Sequence, residues 1–268
     1  MHLNSKTIAV LISLTLVVLV FKCTKEEEAG NEAEQEQEDD PSGLEFPLPN
    51  SIVSTDIDFI RSDDPDSFLS LEYLGQDDKE MPDSQSSELF DTGTYVFSSE
   101  FSNGYSVEIW AHSSFGSQSA AQEYVDKLVP RLGKLPDFML ETLHHVVLHN
   151  GNAGAFAESE ANFFVVYSEN MDTRIDNNDL EETVFHESVH ATLDAIHLQS
   201  DDWMQSQLDD GVFITDYAAS FPNKEDLAET ALFVYTMQRY PGRLASDIED
   251  WISTNIPNRK EYITAIFE

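Results

Sequence analysis

Residues 184–193 read VFHESVHATL, and the interpretation of this stretch decides how the rest of the chain is understood. Within it His186, Glu187 and His190 spell H-E-x-x-H. On an α-helix, residues four apart share a face, so both imidazoles can reach one metal ion. Glu187 lies one position round, where a carboxylate can act on a water held by that metal. A short pattern of this kind also arises by chance, so its surroundings must support it.

Upstream, residues 178–181 (NDLE) have the form of a capping box, with Asn178 at the N-cap and Glu181 three residues on. From there Val184, Phe185, Val189, Leu193 and Ile196 make a helical apolar set. Glu182, His186, His190 and Asp194 fall in an i, i+4 row on another face. Two imidazoles leave a tetrahedral zinc one protein ligand short of a site with an open water position. His197 is the nearest histidine, but seven helical residues carry it about 10 Å beyond His190 along the axis. Zinc ligands stand about 2 Å from the ion, and no glycine between His190 and Gly211 would break the helix. His197 therefore reads as structural. Glu182 and Asp194 are poorly placed as ligands for similar reasons, although Asp194 can orient one.

The third ligand is expected from a second helix. Asn223 can cap a helix containing residues 225–229 (EDLAE), with Asp226 at its third position. Leu227, Ala231, Leu232 and Val234 offer that helix a packing surface. Glu225 and Glu229 are i, i+4 neighbours: one can bind zinc while the other hydrogen-bonds a histidine ligand and fixes its tautomer. Residues 232–239 continue the helix to Pro241-Gly242, and residues 244–256 form a further helix ended by Pro257.

HESVH at 186–190 followed by EDLAE at 225–229 resembles the gluzincin arrangement of the thermolysin and anthrax lethal factor type. That resemblance implies Glu225 as the metal ligand and Glu229 as the group supporting a histidine. Residues 213–219 (FITDYAA) are similar to the corresponding approach in lethal-factor-like domains, which implies Tyr217 as a stabiliser of the transition state. Residues 180–190, 225–230 and 256–259 (IPNR) also resemble a group of exported bacterial metallopeptidase-like proteins. The resemblance covers roughly Leu132 to the C-terminus; the residues after the first motif do not match thermolysin itself.

Before that region, residues 44–112 read as strand-like and broken by turn residues. Residues 67–74 alternate as a strand, and 77–87 read as a polar loop. Residues 94–97 and 105–110 flank Ser102-Asn103-Gly104, a hairpin turn signal. Residues 117–129 carry helical spacing, closed by Pro130 and Gly133. Residues 143–149 (LHHVVLH) and 163–167 (FFVVY) read as strands of a hairpin around a turn at 151–154. Alternation puts His145 and His149 on one face and His144 on the other, which argues against a three-histidine site there. This hairpin is expected to border the substrate cleft, with His149 a lesser candidate contact.

The chain carries 51 acidic and 14 basic residues, a formal charge of -37. Such a surface repels nucleic acids and anionic lipid headgroups, so nucleic-acid binding is not expected. Residues 7–21 form an apolar run after a mildly basic start, shorter than the ~20 residues of a spanning helix and suited to an export signal. Cys23, the single cysteine, follows it. This resembles a bacterial lipoprotein signal with Cys23 as the lipidated residue, although Phe21 and Lys22 stand where small residues are favoured. A cleaved signal or an uncleaved anchor are the alternatives. Residues 24–43 are acidic, without apolar period, and read as a solvated tether.

The expected organisation is thus a signal or lipoprotein-type segment (1–23), the tether (24–43), a β-rich part (44–115) and a zincin-like catalytic part (116–268), in the α+β class. The expected function is zinc-dependent hydrolysis of a peptide or protein substrate outside the cytoplasm, with membrane contact only through an N-terminal anchor. His186 and His190 with Glu225, the ligand the resemblance implies, are expected to hold Zn²⁺, with Glu187 as the general base and Tyr217, again by the resemblance, stabilising the oxyanion. The alternatives are a zincin-fold lipoprotein that binds without hydrolysing, and a surface protein with a fortuitous motif.

Overall fold

The computed structural model describes residues 43–268. The export signal, Cys23 and all of the acidic tether except Gly43 lie outside the described residues. Among the described residues no helix is long and apolar enough to cross a membrane.

One mixed sheet of six strands organises this part, and the class is α+β. Its strands are β1 (Phe68–Glu80), β2 (Phe90–Phe101), β3 (Ser106–Ala111), β4 (His145–His149), β5 (Phe156–Glu158) and β6 (Phe163–Tyr167), in spatial order β1-β2-β3-β4-β6-β5. The first three pair antiparallel, with Gly104 at φ 91° in the predicted turn between β2 and β3. β4 pairs in parallel with both β3 and β6. Strands before and after residue 116 therefore belong to a single sheet.

β4 and β6 were expected to form a hairpin, and they do not. β5 intervenes and pairs antiparallel with β6, so the chain reverses twice between the two parallel strands. Val146, Val147, Leu148 and all of β6 are buried, which is the continuous apolar run typical of parallel strands covered on both faces. The expected polar loop at 77–87 is also corrected, because β1 continues to Glu80. As the outer strand, β1 is held by backbone pairing to β2 and needs no alternating core face, so its polar half resembles a loop in sequence. Residues 44–67, expected to be strand-like, instead form an irregular strap with one short 3₁₀ turn at Ile52–Ser54.

Helices cover the sheet. They are α1 (Gln118–Leu132), α2 (Asp137–Thr142), α3 (Ser168–Asp176), α4 (Leu180–His197), α5 (Asp201–Asp210), α6 (Asp216–Ser220), α7 (Asp226–Arg239), α8 (Ser246–Asn255) and α9 (Pro257–Phe267). Pro130 does not end α1: it sits in the last turn, and the helix runs on to Leu132. Gly133 follows because the chain entering β1 crosses it; a Cβ there would stand 2.8 Å from the backbone nitrogen of Phe68. Pro257 opens α9 rather than merely closing α8, the position where its fixed φ and missing N–H are tolerated.

The motif helix α4 is buried from Leu180 to Leu193 apart from His190. Ile196, assigned to its apolar face, is 68% exposed. A buried helix carrying this many polar residues must satisfy them internally. The Thr183, Ser188 and Thr192 hydroxyls donate to carbonyls one turn back, and Glu181 pairs with Arg131 and Lys134. Glu181 is thus occupied tertiarily and completes no capping box. Asn178 takes a left-handed φ of 60° ending the preceding turn, and Asp179 takes the N-cap position without a capping hydrogen bond.

α7 crosses α4, and its start is fixed by a buried ionic knot. Arg259, from α9, donates to both oxygens of Asp226 at 2.7 and 3.0 Å and to Asp210 at 3.0 Å; all three side chains are fully buried. Asp226 is therefore an ion-pair partner, and Asn223 does not cap α7; Glu225 occupies the N-cap position. Removing one member of such a group leaves buried charge uncompensated. Arg259→Ala is expected to lower unfolding free energy by about 3–5 kcal/mol in urea titrations; a loss under about 1 kcal/mol would show that the knot does not hold α7.

Candidate metal centre

α4 presents His186 and His190 one turn apart, and the start of α7 brings Glu225 against them. His186 Nε2 and His190 Nε2 stand 3.1 Å apart, and Glu225 Oε2 lies 3.2 Å from His190 Nε2 and 3.4 Å from His186 Nε2. Ligands about 2 Å from one ion at tetrahedral angles are roughly 3.3 Å from each other. The three atoms have the spacing of a tetrahedral face, and this buried or half-buried group could hold a metal ion.

The electrostatics agree with the geometry. Burial works against a charge on His190, but Asp194 and Glu225 outweigh it and push the imidazole up to about 10 in the chain taken alone. Burial also opposes ionisation of Glu225, yet hydrogen bonds and charge from the two imidazoles hold it well below the usual carboxylate range. The site therefore favours a positive charge at this point, whether a proton on His190 or a metal ion in its place. Asp194 Oδ2 stands 2.7 Å from His190 Nδ1; a carboxylate can only accept, so this nitrogen donates and Nε2 faces the triangle.

Glu187 borders the triangle, and burial raises its carboxyl above the ordinary range. Tyr217, on α6, is half-buried and held as the neutral phenol by burial and by the Glu225 charge. Both line a cavity of about 450 Å³ that also holds His186, His190 and Glu225. Its remaining wall includes residues 155–157, entering and forming the edge strand β5, and Lys224. A larger cavity of about 580 Å³ lies along the other side of α4 against Leu193, Ile196 and Tyr262, away from these groups.

The structure thus brings together His186, Glu187, His190, Asp194, Tyr217 and Glu225. Glu229 approaches less closely: its Oε1 is 3.7 Å from His186 Nδ1, beyond hydrogen-bond range. His197 donates to or accepts from Tyr262 at 2.9 Å and takes no part. His149 is corrected as a cleft contact. Its ring meets the carbonyl of Pro82 and stacks near Tyr167, while the cleft wall comes from β5. His145 stacks between Trp110 and Phe163.

The strap, expected only as strand-like sequence, supplies partners to the site. Leu48 pairs with Ile214 and Asp216 through two backbone hydrogen bonds, fixing the approach to Tyr217. Ser51 and Ile52 bind Glu229, and the Ile60 N–H donates to Glu182. These contacts join residues more than a hundred positions apart and leave no local periodicity, so nothing in the sequence pattern marked them.

No protein-family model, curated protein or solved structure matches the chain.

Glu182, four residues before His186, is held at about 7 chiefly by burial, from an ordinary 4.5. The folded chain therefore binds more protons than the unfolded one between about pH 4.5 and 7, and stability falls as pH rises through that window. Glu182→Gln keeps an acceptor for the Ile60 N–H without the charge. It is expected to raise the melting temperature at pH 8 and leave it nearly unchanged at pH 4.5; equal shifts at both pH values would contradict this.

Proposed function

We propose that the chain is an exported zinc-dependent peptidase of the gluzincin type, built on a zincin-like domain and tethered through its N-terminal segment, with Cys23 as the lipidated residue. The observation that carries this reading is the His186, His190 and Glu225 triangle, with Glu187 and Tyr217 lining the same cavity. Two imidazole nitrogens, one carboxylate oxygen and an open side are a donor set suited to catalytic zinc. Zinc held there supplies a Lewis acid that makes water a usable nucleophile near neutral pH and polarises a carbonyl.

Each side chain has a defined task. Asp194 orients His190 through Nδ1. Glu187, made more basic by burial, accepts the proton of the attacking water and delivers it to the leaving amine. Tyr217 keeps its phenolic proton and donates a hydrogen bond to the oxygen on which charge develops. Among the described residues β5 is the last strand of the sheet, so an extended peptide can lie along its outer edge beside the metal group. The acidic surface makes nucleic acid an unsuitable partner.

The test is a peptide-hydrolysis assay with and without chelator, on the wild-type chain and Glu187→Gln. The substitution is expected to leave one zinc per chain and lower kcat by about 10²–10⁴-fold. Undiminished turnover would remove Glu187 as the base. Zinc binding without chelator-sensitive hydrolysis in the wild-type chain would leave a binding module instead.

A further inference from the structure

His186 presents Nε2 to the triangle, and its Nδ1 is buried without a hydrogen-bond partner. A metal-binding imidazole ordinarily gives that N–H to an acceptor, which fixes its tautomer and ring orientation. A carboxylate oxygen, Glu229 Oε1, stands 3.7 Å away. Glu229 is fully buried in α7, and its carboxylate is clamped from the N-terminal strap. The Ser51 hydroxyl donates to Oε1 at 2.6 Å and the Ile52 N–H to Oε2 at 2.9 Å.

This places the Glu229 oxygen that faces His186 Nδ1 under the control of a single hydroxyl 178 residues away in sequence. The Ile52 donor is backbone and independent of side-chain identity, so Ser51 is the only variable member of the clamp. An acceptor oxygen has two lone pairs. With one taken by Ser51, the other is left for an N–H on the His186 side, and closing to roughly 3 Å requires less than 1 Å of movement. Without the hydroxyl, Oε1 loses its only hydrogen-bond donor within the clamp, and the carboxylate is free to turn about its Oε2 contact.

Resting on the reading of the triangle as a metal centre, we propose that Ser51 is a positioning residue of the site, acting through Glu229 to fix His186. The strap is then part of the metal centre, and a chain lacking it would keep all three ligands yet hold the ion loosely. The hydroxyl touches neither metal nor substrate, so its effect is read in metal affinity. A purely structural serine would change melting temperature and leave that affinity alone.

The experiment measures zinc affinity by competition with a chromophoric chelator, on the full chain, for wild type, Ser51→Ala, Ser51→Thr, Glu229→Gln and the Ser51→Ala/Glu229→Gln double variant, with melting curves to establish folding. Ser51→Ala is expected to weaken zinc binding about tenfold, and Ser51→Thr to restore it. In the Glu229→Gln background, Ser51→Ala should add less than about twofold, because both changes break one chain of contacts. Affinity of folded Ser51→Ala within twofold of wild type, or effects that multiply fully in the double variant, would overturn the proposal and leave the metal centre standing. A wild-type chain that takes up no zinc would overturn both.

Discussion

Two imidazoles and a carboxylate held within 3.4 Å of one another are the constraint on which the rest of the structure depends. Each group is wholly or mostly withdrawn from water, and such a cluster is costly unless a positive charge sits among its members. Bringing them together requires α4 and the start of α7 to meet at one fixed point. Residues 35 positions apart in sequence must therefore be located to within a few tenths of an ångström.

That precision comes from around the site. The Arg259, Asp210 and Asp226 knot ties the first residue of α7 to α9 and to the end of α5, immediately beside Glu225. On the other side the strap pairs with the residues before Tyr217 and clamps Glu229. α4 itself is surrounded, with Glu181 paired to Arg131 and Lys134 and Glu182 reached by the Ile60 N–H. Burying so polar a helix is unfavourable in isolation; the many satisfied partners offset it and leave few alternative arrangements.

Legibility in the sequence divided along the same line. The i, i+4 row of Glu182, His186, His190 and Asp194 is a matter of helical periodicity, so the placing of both histidines and of Asp194 against His190 could be read directly. The exclusion of His197 followed from axial distance, and it meets Tyr262 instead. A second acidic helix could be expected to bring the third ligand, but the choice of Glu225 over Glu229 came from the family resemblance, and Glu225 stands at the N-cap rather than inside the first turn. Local signals misled wherever tertiary partners outbid them. Asn178 and Asn223 have capping chemistry, but Asp179 and Glu225 take the N-cap positions; the polar half of β1 resembles a loop; and β4 and β6 resemble a hairpin because β5 is only three residues long. The strap was invisible, since its donors to Glu229 and Glu182 are one hydroxyl and two backbone N–H groups.

The most direct test of the metal centre is anomalous diffraction at the zinc absorption edge from crystals of the zinc-loaded chain. A single peak about 2 Å from His186 Nε2, His190 Nε2 and Glu225 Oε2 is expected. A peak elsewhere, or none while these three atoms keep their present spacing, would contradict a metal held by this triangle.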